Sequence, residues 1–119
     1  MKLLKKQVGS EENWMFYCPG CKHGHIIPCG GTHGPQWAYQ IKDKKISFTP
    51  SLLGYYERTK KDTTSGERER VTTCHLYVTS SQIQFLADCP HEYAGKTVDF
   101  VDFPENYGIP LGFSEVTFS

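Results

Sequence analysis

His75–Asp88 reads HLYVTSSQIQFLAD, and its pattern decides the fold. Leu76 and Val78 alternate with polar neighbours before the centre, and Ile83 and Phe85 do so after it. A period of two puts successive side chains on opposite faces of a strand, so each run offers one face to a core and one to water. The Ser80-Ser81 centre between the runs predicts a hairpin.

Working outward, the same texture recurs in "WMFYC" (14–18), "HII" (25–27), "QWAYQI" (36–41), "KISF" (45–48), "TCHLYVT" (73–79), "QIQFLA" (82–87), "TVDFVDF" (97–103) and "EVTF" (115–118). Val, Ile, Thr and aromatic residues dominate these runs, and such side chains fit a pleated, half-buried surface. "YQIKDKKISF" repeats the hairpin shape around Lys42–Lys44. No window sustains a helical period, although "SLLGYYERTKK" (51–61) could hold a turn or two. The expectation is a mainly β fold, a small β-rich or α+β single domain over residues 1–119. "ERTKKDTTSGERER" (57–70) has no large apolar residue and is expected to form a mobile charged loop.

The chain has 119 residues, of which 38% are hydrophobic and 13% aromatic, so the core leans on Phe, Tyr and Trp. A chain this short buries a modest share of its surface, and a cross-link or metal would help it. Lys and Arg number 13, as do Asp and Glu, giving a net charge of +0. That balance argues against nucleic acid as the partner, because phosphate binding needs a basic excess. "MKLLKK" lacks the apolar run of a signal peptide, and no stretch is long and apolar enough to span a membrane, so the expected location is cytoplasmic.

Five cysteines, an odd number, accompany five histidines. In a reducing compartment, cysteines clustered with histidines read as metal ligands or free thiols rather than disulfides. "CPGC" (18–21) is the strongest signal: two thiolates three apart across Pro and Gly form a tight knuckle whose sulfurs face one point. "KHGHIIP" follows it, which is no helix start, so a thioredoxin-like redox pair does not fit. Thiolates favour zinc. "TCHLYV" and "DCPHE" supply the remaining candidates, and the simplest closure is Cys18, Cys21, Cys74 and Cys89, with His25, His75 or His91 as substitutes. Adjacent residues on a strand face opposite ways, so Cys74 turned inward leaves His75 on the other face. There it could meet His25, Asp88, His91 or Glu92 and form an open metal site or a general acid/base cluster. Cys29 and His33 read as spare residues of a glycine-rich turn. Ser51, in "TPSLL", has no G-x-S-x-G setting and no assigned base, which weighs against a nucleophile there.

The order C-P-G-C, H-x-I-P, W, P-S-L-L, C-H, then "QFLADCPHEYAGKTVDF" resembles a family of small phage and prophage proteins often labelled "ammonia monooxygenase". The resemblance runs from about Trp14 to Pro104 and rests on Cys18, Cys21, His25, Trp37, Pro50, Ser51, Cys74, His75, Asp88, Cys89, His91 and Gly95. It implies a phage or mobile-element origin and zinc binding, and it supplies no activity. The expectation that follows is a non-enzymatic, zinc-stapled accessory module binding a host or phage protein. Its contact surface would be the 57–70 loop with Tyr55, Tyr56 and Tyr107. The alternative is a small metal-dependent hydrolase using His25, His75, Asp88 and His91.

Overall fold

The computed structural model describes residues 1–61 and 66–118. Among the described residues nine strands follow in chain order: β1 Leu4–Val8, β2 Glu11–Cys18, β3 His23–Cys29, β4 Ala38–Lys42, β5 Lys45–Thr59, β6 Arg68–Thr79, β7 Gln82–Phe85, β8 Thr97–Asp99 and β9 Ser114–Glu115. No helix occurs among the described residues. One antiparallel sheet has the order β3-β2-β1-β9 and the other β4-β5-β6-β7-β8, so the fold is β-rich as the alternation predicts.

The Ser80-Ser81 hairpin is present, and both residues have positive φ, 49° and 59°. Two consecutive positive φ values are the signature of a type I′ turn, whose twist matches that of the flanking strands. Serine bears this backbone because its polar groups are used: Ile46 N donates to Ser81 Oγ at 3.0 Å, and Ser81 N donates to Ile46 O at 2.8 Å. Asp43-Lys44, between β4 and β5, makes a second such turn with φ of 52° and 64°.

The inward faces of the two sheets meet in one apolar core. Trp14, Phe16 and Ile27 come from the first sheet, and Ile46, Phe48, Leu52, Leu76, Val78, Ile83 and Phe85 from the second. A smaller cluster of Leu4, Met15 and Phe103 lies apart from it, covered by Tyr17, Tyr107, Ile109 and Phe113.

"SLLGYYERTKK" is strand rather than helical turn through Thr59. Its register against β6 explains this: Leu52 pairs with Leu76 over the core, and Tyr55 to Thr59 pair onward to Arg68. The charged 57–70 stretch likewise opens and closes as paired strand, with Arg58 bonded to Glu69 at 2.8 Å and Glu57 facing Arg68 and Arg70 at 3.8 Å. Cross-strand charge pairs of this kind support strand pairing where apolar residues are missing. Residues 62–65 lie outside the described part. No helix among the described residues is long and apolar enough to cross a membrane.

Candidate functional site

Strand alternation on β6 sorts its neighbours into two chemical settings. Cys74 is buried, facing the core, while His75 is half-buried on the opposite face.

On the inner side, the knuckle between β2 and β3 brings Cys18 and Cys21 against Cys74. Cys18 Sγ and Cys74 Sγ are 4.0 Å apart, and the Cys21 amide donates to Cys18 Sγ at 3.3 Å. His25, two residues into β3, completes a group whose ligand atoms all lie within 4.8 Å of one another. Its Nε2 is buried and has no hydrogen-bond partner. A second group, sharing Cys74, consists of Cys74, Cys89 and His91. The three thiols nearest the knuckle do not titrate alike. A hydrogen bond from the Cys74 thiol pulls Cys18 down to about 3, and the same bond holds Cys74 well above its usual range. Burial, with the Cys18 thiolate beside it, pushes Cys21 up to about 11. One thiolate held by protons of its neighbours is an arrangement a cation can take over, since metal binding displaces those protons. Cys29 is buried away from this cluster, and burial followed by Glu12 and Glu11 raises it to about 11.

On the outer side, His75 does not meet His25 or His91. Its Nδ1 lies 3.1 Å from Asp88 Oδ2, and its Nε2 lies 3.3 Å from Ser51 Oγ. Three residues from separate parts of the chain thus form a line: hydroxyl, imidazole, carboxylate. Ser51 reaches this place through an irregularity in β5. Phe48 pairs with Val78 and Leu52 with Leu76, so four steps on β5 match two on β6. Such a bulge re-aims the side chains it carries. The Ser51 carbonyl leaves the ladder and accepts from Trp37 Nε1 at 3.3 Å. Asp88 is delivered by the turn after β7, where Leu86 N donates to His75 O at 2.9 Å and Cys89 N to Leu86 O at 3.2 Å.

A family model described as "bacterial ubiquitination-like system serine protease (BubE)" matches residues 2–86. The chain belongs to the BubE family. No curated protein and no solved structure matches it. Membership in BubE corrects three expectations. The non-enzymatic accessory module is overturned, because the family is described as a protease. The metal-dependent hydrolase falls for the same reason: a serine protease attacks with a hydroxyl, and here His75 lies between Ser51 and Asp88 while His25 stays with the cysteines. The resemblance to phage and prophage proteins narrows to a bacterial family, and the match carries no phage origin.

Ser51 is what sequence reasoning set aside. Its partners lie 24 and 37 positions away in sequence, by subtraction from 75 and 88, so no local motif announces it. The usable signal was the placement of His75 opposite an inward Cys74, which demanded a polar partner on the outer face.

Proposed function

We propose that the chain is a serine protease whose nucleophile is Ser51, whose general base is His75 and whose orienting carboxylate is Asp88. The observation that carries this reading is the pair of contacts on His75, 3.3 Å from Nε2 to the hydroxyl and 3.1 Å from Nδ1 to the carboxylate. Triads are recognised by geometry and roles, and the chain order of their members varies between folds. A nucleophile–base distance at the long end is usual before substrate binds.

In the acylation step Ser51 Oγ attacks the scissile carbonyl carbon while its proton passes to His75 Nε2. The C–N bond then breaks, and the same proton goes to the leaving nitrogen. Water repeats the sequence on the acyl-enzyme, giving up a proton to Nε2 and releasing the carboxylate product and free Ser51. Asp88 keeps the proton on Nδ1, so that Nε2 presents its lone pair to the hydroxyl, and it offsets the positive charge when the imidazole is protonated. The substrate class is polypeptide, and the family's description sets the work in a bacterial ubiquitination-like system.

Zinc is the ion that suits the inner cluster. Thiolate and imidazole donors favour it, and a tetrahedral site at about 2.3 Å per Zn–S bond spaces two sulfurs by about 3.8 Å. The 4.0 Å between Cys18 and Cys74 fits that spacing. Held by four protein ligands, such an ion would have no open position and would activate no water, which agrees with chemistry carried by Ser51.

The test is covalent labelling with a fluorophosphonate, which traps an activated serine. One adduct per chain mapping to Ser51, and none on Ser51→Ala, is the expected result. Labelling that persists in Ser51→Ala, or fails in folded wild type, would reject the assignment.

A further inference from the structure

The inner cluster and the triad are joined residue to residue. Cys74 precedes His75, and Cys89 follows Asp88. Cys89 Sγ also grips the backbone of the base, accepting from His75 N at 3.1 Å and donating to His75 O at 3.0 Å.

Five possible donors surround Cys74, and their hydrogen bonds sort them. His91 Nδ1 accepts from Tyr93 N at 3.2 Å, which fixes the neutral ring with its proton on Nε2. That Nε2–H points at Cys74 Sγ, 3.6 Å away, so His91 donates to the sulfur instead of ligating. Cys89 is engaged with both backbone groups of His75. His25 Nε2, buried and without a partner, is the nitrogen that lacks an occupation, and it sits with Cys18, Cys21 and Cys74.

We propose that Cys18, Cys21, Cys74 and His25 hold one closed zinc site that positions the catalytic base, with Cys89 as the second brace on His75. The ion touches neither substrate nor reacting atoms. It ties the β2–β3 knuckle to β6 at Cys74, and thereby sets where the next residue, His75, stands relative to Ser51. His91 supports the site by donating to a ligand sulfur, as groups just outside a metal's ligands commonly do. Cys18, Cys21, His25 and Cys74 are positioning residues in this scheme. The proposal rests on Ser51 being the nucleophile.

The experiment measures metal content by native mass spectrometry alongside fluorophosphonate labelling kinetics, with far-UV circular dichroism as the fold readout. Wild type is expected to carry one zinc. Stripping it with a chelator should lower the maximal labelling rate at least tenfold, leave the probe's half-saturating concentration within twofold, and be reversed by one equivalent of zinc. If the stripped protein unfolds, His25→Ala decides, since it keeps three thiolates. Its labelling should need at least tenfold more free zinc than wild type, His25→Cys should restore the wild-type requirement, and His91→Ala should still bind one zinc. Full labelling of folded, metal-free protein would overturn the proposal. So would a chain that takes up no zinc, or loss of the ion in His91→Ala with retention in His25→Ala. Absence of labelling in zinc-loaded wild type would instead reject Ser51, and the metal content would still report on the quartet.

Discussion

Replacing Asp88 by Asn separates orientation from mere proximity at His75. Asp88 accepts the Nδ1 proton at 3.1 Å, which leaves Nε2 free to take the proton of Ser51. Asn is the same size but can turn its amide N–H toward Nδ1, and that places the imidazole proton on Nε2, where it blocks the base. In a buried triad the loss is about ten-thousandfold. Here the Asp88 side chain is 55% exposed and that of His75 25%, so water competes for Nδ1 and the ring can exchange tautomers. The relevant scale is then one hydrogen bond to a charged group, about 1.5–3 kcal/mol. At about 1.4 kcal/mol per factor of ten, this is roughly a ten- to hundredfold drop in the second-order labelling rate with a fluorophosphonate. Asp88→Ala removes the carboxylate without imposing the wrong tautomer, so it should label at least as fast as Asp88→Asn. Wild-type rates in both variants, or an Asn variant clearly faster than the Ala variant, would refute the role given to Asp88.

Two further substitutions test the frame around the site. A Cβ on Gly20 would collide with the His91 ring, so Gly20→Ala should lower unfolding free energy by about 1–3 kcal/mol in a denaturant titration, the usual cost of overpacking. An unchanged midpoint would show that His91 is not packed on the knuckle. Lys44→Gly should raise stability by up to about 1 kcal/mol, because Lys44 sits at φ 64° where a side chain is strained. A lower melting temperature would mean that the lysine contributes more than its backbone costs.

The alternation that exposed the β7 hairpin also told which way Cys74 and His75 would face, because period two is local and survives any tertiary context. The knuckle was legible for the same reason: Cys18 and Cys21 are brought together by four residues of chain. Ser51 was not, since its meaning depends on the bulge between Phe48 and Leu52 and on Trp37 drawing its carbonyl out of the ladder. Neither leaves a mark in the order of residues. The arm at 57–59 and 68–70 carries no apolar alternation because its two strands lie beyond the core, where charge pairing across the hairpin takes its place. The strand Leu4–Val8 is hidden in a run dominated by lysines, although Leu4 is fully buried in the smaller cluster.

The half-exposed carboxylate has a consequence for how the proposed enzyme stays quiet. The hydroxyl, ring and carboxylate stand on the outer face of a sheet with open water over Asp88. Water there solvates every charge the reaction develops, and electrostatic help from the protein is weak until that water leaves. The missing roof must arrive with the polypeptide to be cut. Until a polypeptide covers it, the proposed machinery is assembled but idle, so the arrival of substrate is itself the step that switches the Ser51–His75–Asp88 line on.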